Sequence, residues 1–202
     1  MIEHRPWRGS RYESGIEGQQ ILLVGHSHDR PDDCPDTDAL TEEVMAMVRA
    51  GTDGIRFFAQ VRSYFRWDDP EDFWQRVMFM NYLPDCVGTS DRRYDCGTPD
   101  QITRARERFF RVLDEHRPQK VLVFTNGHNK GWSTLPRLDE EQVTGGRALR
   151  LGADFPSNFS WGHYTRPGHV AQAFGLRHPQ GARTDLMSRA VQHILAVPTS
   201  GG

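Results

Sequence analysis

The chain has 202 residues, 37% hydrophobic and 26% charged; that suffices for one sizeable core but not two, and no apolar run approaches the ~20 residues needed to cross a bilayer. A net charge of −2 gives no global attraction for nucleic acid, although Lys120 and Lys130 are the only lysines among 25 basic residues; so many arginines suit bidentate phosphate contacts or reflect codon bias. Three cysteines, Cys34, Cys86 and Cys96, without C-x-x-C spacing argue against a disulfide framework or a four-thiolate iron–sulfur cluster, and for a reducing cytoplasm.

In chain order, residues 1–20 are polar and Gly-containing with Trp7 as the large anchor, and read as an irregular lead-in without a signal-peptide pattern. Ile21-Leu22-Leu23-Val24 then runs into Gly25-His26-Ser27-His28-Asp29, a buried strand ending in titratable groups. A helix is predicted from about Thr37, with Leu40, Val44, Met47 and Val48 on one face and Gly51 as its stop. Ile55, Phe58, Val61 and Phe65 predict a second helix, and Asp69-Pro70-Glu71 is the start of a third. Val77-Met78-Phe79-Met80 reads as a short strand that delivers Asn81-Tyr82-Leu83-Pro84. Thr98 and Gln101 have capping-box spacing, opening a helix that buries Ile102, Ala105, Phe109, Val112 and Leu113 and ends at Pro118. A strand over 120–125 empties into Asn126-Gly127-His128, and one over 170–176 into Arg177-His178-Pro179-Gln180-Gly181. Thr184 is the expected cap of a last helix, and 197–202 a frayed tail. The stretch from Pro136 to Gly168 carries no clear period.

Strands alternating with helices predict one α/β domain, a three-layer α/β/α sandwich around a mostly parallel sheet of about four strands. Ligands of such sheets bind beyond the carboxyl ends of the strands. Neither G-x-G-x-x-G nor G-x-x-x-x-G-K-[ST] occurs, so the two commonest nucleotide readings of this architecture have no support.

The order Gly25-His26-Ser27-His28-Asp29, Asn81-Tyr82-Leu83-Pro84, Asn126-Gly127, His178-Pro179-Gln180 resembles the uracil-DNA glycosylase superfamily, from about Ile21 to Leu195. The resemblance implies an α/β/α sandwich with a four-stranded parallel sheet. It also implies hydrolysis of the N-glycosidic bond of a flipped-out base, leaving an abasic site in single- or double-stranded DNA. No cofactor and no metal are implied. Asn81 corresponds to the residue that reads the pairing edge of the base, and His178 to the donor that stabilises charge on the departing base. Gly25, Ser27, Tyr82 and Asn126 would line the base pocket. Gln180, Gly181 and Arg183 correspond to a loop entering the minor groove, with Lys130 a further phosphate contact. Family members usually carry Asp, Glu or Asn at the second or third position of the first motif, where this chain has His26 and Ser27. The water-positioning role therefore falls to His26, His28 or Asp29.

Where the uracil-specific branch of the family has a tyrosine covering C5 of the base, this chain has Asp29, which implies a C5-substituted pyrimidine as an alternative to uracil. Such bases suggest defence against bacterial viruses beside base-excision repair. The expected protein is a cytoplasmic monomer with DNA as its partner and no membrane association. Two other classes fit the residues: a metal-dependent hydrolase using His26 and His28, although H-x-H-x-D-H fails at Arg30 and Pro31, and a modified-DNA-binding module without catalysis.

Overall fold

The four aliphatic runs lie side by side in a computed structural model that describes residues 2–28, 36–52, 54–87, 97–126, 135–136, 149–150 and 158–199. They are β2 (Ile21–Gly25), β3 (Met78–Asn81), β4 (Lys120–Asn126) and β7 (His169–Arg177). Their order is β3-β2-β4-β7, all parallel, with Leu23 opposite both Phe79 and Leu122, and Leu122 opposite Phe174. The chain leaves β2 towards β3 on one side and leaves β4 towards β7 on the other. The resulting topological switch point lies between β2 and β4, where such sheets bind ligands.

The sheet is larger and more mixed than the sequence predicts. Among the described residues it has seven strands, because β1 (Trp7–Arg8) adds antiparallel to β3, and β6 (Asn158–Arg166) and β5 (Leu149–Arg150) add antiparallel beyond β7. Parallel strands need covered faces, and this sheet supplies two apolar ones. On one face Ile21, Leu23, Phe79, Leu122, Phe124, Phe174 and Leu176 pack against α1 (Leu40–Ala50), α2 (Arg56–Tyr64), α3 (Pro70–Gln75) and α5 (Thr184–Ala196). On the other, Leu22, Val24, Met78, Met80, Val121, Val123, Ala171 and Ala173 meet α4 (Pro99–His116). Among the described residues no helix is long and apolar enough to cross a membrane.

Local chemistry sets the element ends. Asp69 accepts from the Asp72 amide at 3.1 Å with Pro70 at the first helical position, and Thr98 and Gln101 form the reciprocal capping box, each side chain bonding the other's backbone N–H. Gly51 ends α1 with φ +70°, a conformation costly for other residues. Thr184 does not cap α5; it is the helix's first residue, and Arg183 precedes it without a side-chain cap. The lead-in contributes the short strand β1 and buries His4, Tyr12 and Ile16, while the Val197 and Pro198 carbonyls accept from Lys120 and Gln172; residues 200–202 of the expected tail lie outside the described residues. Buried Lys120, at the start of β4, donates from Nζ to the carbonyls of Ile194, Leu195 and Val197, neutralising the negative end of α5.

Tyr12, Tyr64 and Tyr82 are at most 1% exposed, and burial raises the pKa of each, to about 12 for Tyr64. Unfolded tyrosines ionise near pH 10, so their contribution is whole below that pH and falls as pH rises towards 12. The loss is about 2–3 kcal/mol from Tyr64 alone. Phenolate absorbance and loss of near-ultraviolet circular dichroism are expected to coincide in an alkaline titration. Titration of all three near pH 10 in a still-folded protein would contradict this account.

Candidate active site

Alternation along the strands decides which residues at the sheet edge share a face. Side chains two apart point the same way, so Asn81 follows Phe79, Gly25 follows Leu23 and His178 follows Leu176, all on the face covered by α1, α2, α3 and α5. Gly25 and Asn81 are register partners. A Cβ at Gly25 would fall far inside van der Waals contact of Asn81 Oδ1, with the Phe79 ring beyond, so the absence of a side chain at 25 is what lets the amide lie over the end of β2. Asn81 itself is 5% exposed.

Phe57, half-buried at the start of α2, closes this corner. Its ring centroid is 5.5 Å from that of His178, 6.2 Å from Phe79 and 6.3 Å from Phe124. The helical period of Ile55, Phe58, Val61 and Phe65 draws attention to the core face and passes over Phe57, which stands one residue away on the flank facing the strand ends. The paired Phe57-Phe58 was the available signal.

His178 begins the 3₁₀ turn Pro179–Gly181 and accepts at Nδ1 from the Gln180 amide at 3.3 Å. With Nδ1 an acceptor, the neutral ring carries its proton on Nε2, making that atom a donor. Gln180, Gly181 and Arg183 are exposed just beyond. Arg183 pairs with Asp185 at 2.8 Å, and because both side chains are well exposed the pair is weak and readily exchanged for a phosphate.

The residues after β2 divide by environment. His26 and Ser27 are half-buried at the strand end, and the His26 carbonyl accepts from Leu83 N–H at 2.9 Å, so the continuation of β3 fixes its position. His28 is buried, with Nε2 2.9 Å from Thr41 Oγ1 of α1. Burial, then the neighbouring His4, push its pKa down to about 3, leaving it neutral and a poor base at physiological pH. Tyr82 does not join Asn81: alternation turns it to the opposite face, where its ring lies 6.2 Å from Phe109 of α4. Asn126 closes β4 opposite Arg177. Asp29 and Lys130 lie outside the described residues.

Behind the site, Arg108 of α4 is 1% exposed and donates to the Asn81 carbonyl at 2.7 Å and to the His4 carbonyl. Burial lowers its pKa to about 10, still charged at neutral pH. An arginine at a core position of an amphipathic helix gives no signal in a hydrophobicity pattern. Nor does a buried His4 in a polar lead-in. Among the described residues, the metal-capable side chains that converge are His4, Asp36 and Cys86, and the pair His26 and His28 is not part of that group.

The Gly25–Asn81 contact yields a prediction. Gly25→Ala leaves β2 in an allowed conformation but must displace the Asn81 amide. Displacements of about 1 Å at a reacting centre can cost ~10² in rate. If this corner is a reacting centre, Gly25→Ala is expected to lose activity on that order with little change in thermal midpoint. A wild-type rate in Gly25→Ala would remove the amide from the site.

No protein-family model matches the chain, and no curated protein matches it by sequence.

Proposed function

We propose that the chain is a monofunctional DNA glycosylase that hydrolyses the N-glycosidic bond of a flipped-out pyrimidine. One observation carries the reading: an amide (Asn81), a gap (Gly25), an aromatic ring (Phe57) and a histidine with a donor Nε2 (His178) share one corner at the strand ends, beside the switch point. Phe57 stacks on the extruded base. Asn81, offering both a donor and an acceptor, reads its pairing edge.

As the C1′–N1 bond breaks, the electron pair goes to the base and positive charge grows on the sugar. A donor at the base oxygen lowers the barrier because it strengthens as that charge develops, the role of His178 Nε2. Water then adds to C1′ and loses a proton. His26 at the strand end is better suited to hold that water than His28, which is bonded to Thr41 and held neutral. Gln180, Gly181 and Arg183 enter the groove of the duplex, with Lys130 on a phosphate. The identity of Asp29, shorter than the tyrosine of the uracil-specific branch and able to accept a hydrogen bond, favours a C5-substituted pyrimidine as the preferred substrate, in anti-phage defence or in repair.

The test is single-turnover base release from oligonucleotides carrying uracil, 5-hydroxymethyluracil, 5-hydroxymethylcytosine or its glucosylated form, read as alkali-labile strand breaks. Faster release of a C5-substituted base than of uracil is expected. Faster release of uracil than of every other base refutes the C5 preference. Binding to modified DNA with no abasic product from any substrate refutes the enzyme and leaves a binding module.

A further inference from the structure

Beside the β1–β3 edge of the sheet, three segments distant in sequence bring together an imidazole, a carboxylate and a thiol. His4 Nε2 lies 2.6 Å from Asp36 Oδ1, and Cys86 Sγ lies 3.5 Å from the same oxygen. All three candidate ligand atoms fall within 4.8 Å of one another. We infer that His4, Asp36 and Cys86 form a binding site for a zinc-class divalent cation that fastens the N-terminal segment to the loops after β2 and β3.

The donor set selects the ion. One nitrogen, one carboxylate oxygen and one sulfur suit zinc and its borderline neighbours, whereas magnesium and calcium require oxygen alone. In tetrahedral zinc geometry, bonds of about 2.0–2.3 Å put ligand atoms roughly 3.4–3.6 Å apart. The sulfur–oxygen pair already has that separation. The nitrogen–oxygen pair is closer because a hydrogen bond joins it, and the cation would replace that shared proton and the thiol proton.

The ligands are also held from behind. The Asp36 Oδ2 accepts from Cys86 N–H at 3.2 Å, His4 N–H donates to the Pro84 carbonyl at 2.7 Å, and Arg108 donates to the His4 carbonyl. Such supporting bonds orient metal ligands and fix their spacing. His4 is fully buried, and its ring packs edge-on to that of His28, with centroids 5.2 Å apart. A cation here therefore locks the loop that carries His28 and the loop that continues from Asn81, while leaving a fourth position for water. The inference stands whether or not the chain releases bases.

The test uses the full chain stripped of metal and titrated with Co²⁺ and Zn²⁺. One equivalent of Co²⁺ is expected to give thiolate-to-cobalt charge-transfer absorption that Cys86→Ser abolishes, with Asp36→Asn weakening affinity at least tenfold. Zn²⁺ at a hundredfold over its dissociation constant should raise the thermal midpoint by about 5–10 °C, and Mg²⁺ should not. Because either variant could fail to fold, alkylation of Cys86 in the unmodified chain is followed on its own peptide, and zinc should slow it at least tenfold. Absence of cobalt absorption in the wild type, absorption undiminished in folded Cys86→Ser, or alkylation of Cys86 unaffected by zinc would each overturn the site.

Discussion

His178→Ala is expected to slow single-turnover base release by ~10²–10³, the usual cost of removing one donor aimed at developing negative charge. The fold should survive. His178 sits half-buried in a turn after β7, where it accepts from the Gln180 amide and packs beside the Phe57 ring. Asn81→Ala should lose activity on a similar scale by a different route, since on the proposed reading the amide recognises the base before it is cleaved. His178→Gln, which restores an N–H donor, is expected to recover part of the loss. Comparing single-turnover rates with substrate affinity separates the effects: His178→Ala lowers the rate at saturating enzyme, and Asn81→Ala lowers discrimination between bases as well. Wild-type rates in both alanine variants would dismiss the corner as the site of chemistry.

Arg108→Met is expected to cost about 3–6 kcal/mol, because a charged hydrogen bond to a buried carbonyl is worth roughly 1.5–3 kcal/mol and two are lost together. Methionine fills much of the volume but cannot donate, which leaves the carbonyls of Asn81 and His4 short of a partner. Arg108→Lys should rescue little, since one ammonium cannot reproduce the two prongs of a guanidinium. Urea unfolding measures the stability loss. Base release should also fall, because the Asn81 peptide is held through this bond. An unchanged urea midpoint in Arg108→Met would show that the two hydrogen bonds do not hold the strand end to the lead-in.

The elements legible in the sequence are those whose signal is local. Aliphatic runs named the four parallel strands, and the Thr98–Gln101 box and the Asp69-Pro70 pair named two helix starts because capping is short-range chemistry. The strand ends bearing Asn81 and His178 could be read because each run terminates in them. β6 could not: it pairs outward from β7 through the turn Arg166–His169, its residues do not alternate cleanly, and the Pro167-Gly168 pair was the one clue to a hairpin. The resemblance implies Tyr82 in the base pocket with Asn81, yet alternation along the strand turns the two side chains to opposite faces. Phe57, Arg108 and the meeting of His4 with Asp36 and Cys86 depend on contacts between distant segments, which no local pattern encodes.

The grip of Lys120 on the end of α5 has a mechanical consequence. The helix is pinned at its far end to the base of β4, and its near end begins directly after the turn that carries His178, Gln180 and Arg183. The turn is thus mounted on a strut whose foot is bolted to the same sheet that holds Asn81. The two halves of the corner are thereby tied to strands of one sheet, β3 carrying Asn81 and β7 leading into the turn and α5. On the proposed reading, a corner tied in this way leaves adjustment during recognition to the nucleic acid, which must bend and unstack to present its base.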